Sequence, residues 1–311
     1  MNAEDDRGLP AQRMTEYLAE QPDPPQSGPP APSPSASSPP RKRIPNFVII
    51  LLVAASVALP VVFWRGTWFG TRLSDEQLSA YLADRAHPRK VQHALVEYTR
   101  RVERSDASLA EFDAALTGLV DHPREEVRST LAWTLGWNTT GAGFQAALQT
   151  LLRDDQPLVR RNAALALSKY GDASARGVLR AMLVPYRVTT PHAGAVSDLP
   201  PKGRAIKAHT DLALIAGADG KVHKLKAPLN GKVFALAVAN GDTVAAGDAL
   251  CEIAPGQQDL WESLRALAII GTTEDLPDIE SAMNRRYMEA QAAEQAEETC
   301  QIIRDRAEDS R

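Results

Sequence analysis

Six histidines are the side chains best suited to chemistry here: His87, His93, His122, His192, His209 and His223. None falls in H-E-x-x-H or H-x-H, so the spacing that brings two ring nitrogens onto one metal ion is missing. His192, His209 and His223 lie in one glycine-rich stretch and have the chance to converge, although lone histidines near strand ends are more often surface or hydrogen-bonded groups. Cys251 and Cys300 are too few and too far apart for a disulfide framework or a metal site. Cys251 reads as a buried small hydrophobe in a strand, and Cys300 as an incidental surface thiol on a polar helix. Paired carboxylates occur, as Glu125-Glu126 and Asp154-Asp155. Neighbours in sequence point apart on a helix, so these read as solvated repeat boundaries and not as a general acid and base. Neither G-x-x-x-x-G-K-S/T nor G-x-S-x-G is present. No catalytic, cofactor-binding or metal-ligating residue is assigned, and the chain is expected not to be an enzyme.

The elements around these residues set what they serve. The chain has 311 residues, 44% of them hydrophobic and 24% charged, which predicts about two folded units. A net charge of −4 gives no basic footprint for nucleic acid.

Leu225–Ala254 is punctuated by Asn230-Gly231, Gly241-Asp242 and Gly247-Asp248, pairs that supply tight turns between short apolar runs. Val233–Val238 is apolar at both parities and predicts a strand buried on both sides. The pattern occurs twice. Pro191, Gly194 and Val196 match Pro228, Gly231 and Val233 at an offset of 37. Gly203, Ile206, Leu212 and Ile215 match Gly241, Val244, Leu250 and Ile253 at 38. Each half alone leaves open strand edges, so the doubling predicts a small barrel with pseudo-two-fold symmetry.

The A-P-x-x-G-x-V run with its following G-D-x-V-x-x-G-D-x-L resembles the biotinyl/lipoyl-like barrel, over Val188–Ala254. The resemblance implies one of two roles. Carriers of this family attach biotin or lipoate to a lysine at the hairpin tip between the halves. The tip here reads Gly217-Ala218-Asp219-Gly220-Lys221, with the lysine one place late, and Asp-Gly is a turn signal that needs no cofactor to explain it. Adaptors of secretion and efflux systems attach nothing, but carry a long helical hairpin at the tip. The tight connection from Ile215 to Val222 leaves no room for one. A carrier modified at Lys221, or an adaptor arm, are the alternative readings, and no cofactor is expected.

On either side the period becomes helical. EEVRSTLAWTLGW, Glu125–Trp137, is echoed by PLVRRNAALALSKYG, Pro157–Gly171, at an offset of 32. A second amphipathic helix follows each, over Gly143–Arg153 and Ala173–Leu183. Paired helices at this period predict an α-solenoid. The D-x-x-P-x-V-R-R-x-A-A-x-A-L run, Asp154–Leu167, resembles a HEAT repeat. Asp259–Met283 repeats the second copy at an offset of 100; removing one period of 32 leaves 68, the length of the glycine-rich stretch. That arithmetic predicts a sheet unit inserted between consecutive helix pairs.

Residues 1–45 hold eleven of the 22 prolines and read as a disordered spacer. Phe47–Trp64 has no charge in 18 residues and predicts a transmembrane helix, with Arg41-Lys42-Arg43 before it. The expected fold is α+β. A tail at 1–45 and one transmembrane helix at 46–68 precede HEAT-like repeats at 73–186 and a lipoyl-like barrel-sandwich hybrid at 187–256. A further helix pair at 257–290 and a polar C-terminal helix at 291–311 complete it. The expected function is a non-enzymatic scaffold or adaptor in the inner or plasma membrane, single-pass, N-terminus cytoplasmic and C-terminal domains periplasmic. A protein partner would occupy the concave face; no nucleic acid or small-molecule substrate is evident.

Overall fold

The computed structural model describes residues 72–105 and 109–309. The chain divides at Leu59/Pro60, and every described residue belongs to the second unit. The expected tail, and the expected membrane span at 46–68, lie outside the described residues.

Among the described residues, ten α-helices and eight strands follow one another in three blocks. The first block holds α1 (Asp75–Ala83), α2 (Pro88–Glu103), α3 (Asp113–Thr117), α4 (Glu125–Leu135), α5 (Phe144–Leu151), α6 (Pro157–Lys169) and α7 (Arg176–Ala181). The second is all strand: β1 (Tyr186–Thr189), β2 (Gly194–Ser197), β3 (Ala205–Ile206), β4 (Asp211–Ala216), β5 (Val222–Lys226), β6 (Gly231–Leu236), β7 (Thr243–Val244) and β8 (Ala249–Ala254). The third holds α8 (Gln257–Ile270), α9 (Leu276–Met283) and α10 (Ala290–Asp309).

Local chemistry sets the helix starts. Ser74 accepts from Gln77 N, and the Gln77 side chain accepts from Ser74 N, a capping box that opens α1. Pro88 and Pro157 sit in the first turns of α2 and α6, where a missing N–H costs nothing. Even-numbered helices then pack in sequence as one layer, α2 on α4, α4 on α6, α6 on α8 and α8 on α10. Odd-numbered helices back them, with α1 on α3 and α3 on α5. One apolar core runs through the stack, from Leu78 and Leu82 in α1 to Ala296 and Ile303 in α10. A stack of this kind is the HEAT-like solenoid.

The chain leaves the stack after α7 and rejoins it at α8, which lies against both α6 and α7. Ser263 Oγ donates to Leu179 O at 2.7 Å across that seam. The fully buried Asp275 carboxylate accepts from Arg176 Nε at 2.7 Å and lies 3.4 Å from Arg180 Nε. The intervening strands are therefore a loop of the solenoid in topological terms.

Those strands correct two expectations. They form two four-stranded antiparallel sheets, ordered β1-β8-β6-β3 and β5-β4-β2-β7, and no barrel closes. The reason lies at the edges: β3 (Ala205–Ile206) and β7 (Thr243–Val244) are two residues long and offer no ladder to bridge the sheets. Secondly, β6 (Gly231–Leu236) fully buries Val233 alone: Phe234 on the other face is half-buried against Tyr287. The internal doubling, by contrast, is visible in the strand order. Replacing β1, β8, β6 and β3 by β5, β4, β2 and β7 turns one sheet into the other. Gly194 and Gly231 hold equivalent places. A Cβ would stand 2.2 Å from Ala216 O at the first and 2.2 Å from Ala254 O at the second, so the paired backbones demand glycine at both.

No helix among the described residues is long and apolar enough to cross a membrane. The longest, α10, carries eight charged side chains in its 20 residues. The single-pass architecture and the inner-membrane, part-periplasmic localisation are corrected accordingly: no described element supports them.

Candidate functional site

The even-numbered layer presents a row of side chains at its surface, and the repeat period fixes which ones. Trp133, Leu165 and Arg265 occupy one repeat position on α4, α6 and α8; Trp137, Lys169 and Ile269 occupy the next, one turn on. These six residues line a groove of about 370 Å³, with Trp261 at its far side. Gly136 lets the floor close up, since a Cβ there would stand 2.8 Å from Ala166 Cβ.

The groove is apolar but edged with charge. Trp133 and Trp137 meet edge to face, with centroids 5.5 Å apart, yet remain 45% and 41% exposed. Ile269 is 54% exposed on the facing helix. Lys169 Nζ stands 5.1 Å from the Trp137 ring centre and donates to Gly136 O at 3.1 Å. The Arg265 guanidinium lies 4.6 Å from the Trp261 ring. Burial lowers the Lys169 pKa below its usual value, with the Glu262 carboxylate opposing. Cations held on indole faces keep their charge at the groove edge without waving freely.

Residues singled out in the sequence are dispersed. His192 and His223 stack, ring centres 3.9 Å apart and 13° from parallel. His209 does not join them: its Nδ1 is 3.0 Å from Glu125 Oε1, where the sheet unit meets the start of α4. Asp154 is no solvated boundary. Its oxygens accept from Arg128 Nε at 2.6 Å and Nη2 at 2.9 Å. Burial works to raise its pKa, but Arg128 and the Gln156 N–H outweigh burial and hold the carboxylate low. Cys300 is buried, not a surface thiol, as is Cys251; burial pushes the Cys251 thiol up to about 11. Lys221 is exposed at the β4–β5 turn, 3.3 Å from Asp219. No group of three or more His, Cys, Asp or Glu able to hold a metal occurs among the described residues.

Sequence reasoning missed the tryptophans. The signal was there as W-x-x-x-W in the first repeat, Trp133 and Trp137 at one-turn spacing, where the second repeat has Leu165 and Lys169. Reading them only as periodic apolar residues places them in the core, whereas both lie outside it.

Comparison with known proteins supports the helical part. The family model for HEAT repeats matches residues 112–189. No curated protein matches the chain. One solved structure, of a single-chain, multi-domain long-chain acyl-CoA carboxylase, is similar at 22% identity over 33% of this chain. This chain spans 11% of that one, and the TM-score is 0.22, so the likeness carries no argument. The lipoyl-like assignment gains no support from any of these.

Proposed function

We propose that the protein is a non-enzymatic scaffold that holds a partner protein in the groove lined by Trp133, Trp137 and Trp261. HEAT-type stacks offer extended concave surfaces for protein binding, and the repeat match over residues 112–189 supports this reading. The observation that carries it is the pair of part-exposed tryptophans. Tryptophan and arginine dominate binding hot spots, and large exposed rings are costly to leave wet. The occupant is a partner segment that presents one large apolar side chain to the Trp133–Trp137 pair. Beside it an acidic group would meet Lys169 and Arg265, the two cations that outnumber Glu262 at the edge.

Affinity capture from source cells tests the reading by face. A partner recovered with the native chain and with Arg153→Ala, but lost with Trp133→Ala/Trp137→Ala, fits the groove. Equal recovery with all three rejects it.

A further inference from the structure

A second cavity, of about 510 Å³, opens where the sheet unit meets the third helical block. It is independent of the tryptophan groove and shares no residue with it. Its volume falls in the range of small-molecule pockets, which favour such junctions.

Three cations line it: Lys202 and Lys232 from the sheet unit and Arg286 from the α9–α10 connection. None has a carboxylate within ion-pair distance among the described residues. Three cations therefore surround one hollow with no ion pair among them. Two rings complete the wall. Phe234 and Tyr287 meet edge to face, 5.6 Å between centroids and 86° apart. Lys202 Nζ lies 5.9 Å from the Phe234 ring centre, and Tyr287 Oη is pinned by donating to Leu183 O at 2.8 Å. Gly256 and Gln257, at the N-terminus of α8, also line the cavity and add the positive end of a 14-residue helix. Glu289 is the one acid in the lining, against the three cations.

We propose that this cavity binds a nucleoside phosphate. The ring pair takes the flat base by stacking, and the charged phosphates fall to the three cations, the lysines as point charges and Arg286 as a forked donor. A neutral aromatic would leave the cations unused; a bare phosphate would leave the rings uncovered. Since its two walls come from the strands and from the third helical block, the bound ligand bridges them.

The test is a fluorescence titration of the full chain with methylanthraniloyl-ATP, and with methylanthraniloyl-adenosine as the neutral counterpart. Saturable binding of the first, at least ten-fold tighter than of the second, is expected. Lys232→Glu/Arg286→Glu should weaken it ten-fold or more while the circular dichroism spectrum stays native, since both side chains are exposed. Trp133→Ala should leave it unchanged. No saturation, equal binding of the neutral compound, or full binding by the double variant each overturns the proposal. A loss caused by Trp133→Ala alone would place the ligand in the other groove and overturn it too.

Discussion

The helical stack and the sheet unit are both built by repetition, but they hold their repeats in register by different means. In the stack, buried charge does it. Arg128 on Asp154, and Arg176 and Arg180 on Asp275, each tie one repeat to another. In the sheet unit, Thr190 is the one buried polar side chain among the described residues. Its core is Val188, Val196, Ile215, Val233, Leu250 and Ile253, and its register comes from glycines that let backbones approach. Translation along a stack leaves neighbouring helices free to slide, and a directional ion pair stops sliding. A pseudo-two-fold pair of sheets already interlocks, because each sheet takes strands from both halves.

The sharpest way to break this contrast is at the seam. Asp275→Ala removes the buried acceptor that Arg176, Arg180 and the Thr272 N–H share. Removing one partner of a buried pair costs about 3–5 kcal/mol, read as a lower urea midpoint for the helical transition. Next is Gly231→Val, which forces a side chain into Ala254 O and should cost about 1–3 kcal/mol or more. Hydrogen exchange should report it as lost protection in β6 and β8, with the amides of α4 and α6 unchanged. If α4 and α6 lose protection equally, the two regions are one cooperative unit and the contrast fails.

Trp133→Ala separates function from stability. Hot-spot truncation costs about 2 kcal/mol or more in partner affinity, while thermal stability should shift little because the ring is 45% exposed. The smallest effect concerns pH. Asp172 accepts from Ser174 N, Gln145 Nε2 and Gln149 Nε2; burial opposes ionisation, but these bonds win and depress its pKa far below the ordinary carboxylate value. A depressed folded pKa gives stability that is complete above the unfolded value of about 3.9 and is lost as pH falls below it. Asp172→Asn should therefore flatten the acid limb of the stability curve below about pH 4, measured by denaturant titration. A limb of unchanged steepness would remove Asp172 from the account.

Sequence periodicity exposed what depends on spacing. The 32-residue echo marks α4 and α6, and the doubled glycine pattern marks the two equivalent halves. It failed where partners are distant. Whether β3 and β7 would bridge two sheets depends on ladder length, which apolar runs do not encode. Val233–Val238 looked two-sided because alanines at 235 and 237 count as apolar, yet in β6 Val233 alone is fully buried and Phe234 and Ala235 are half-buried. Cys300 looked exposed because α10 has few large apolar residues; it packs through Ala292, Ala296, Thr299 and Ile303, a stripe of mostly small side chains. The groove was hidden for the opposite reason. Trp133 and Trp137 carry a core residue's chemistry on the outward side of α4 and of the turn that follows it.

On the proposed reading the even-numbered layer, not the odd-numbered one, receives a partner. A photo-crosslinking side chain placed at Ile269, and separately at Ala146 on α5, tests it in cells that make the full chain. A discrete higher-mass adduct from position 269, absent from position 146 and abolished by Trp133→Ala/Trp137→Ala, is the predicted result. An adduct from 146 alone, or one from 269 that survives loss of both tryptophans, would contradict it.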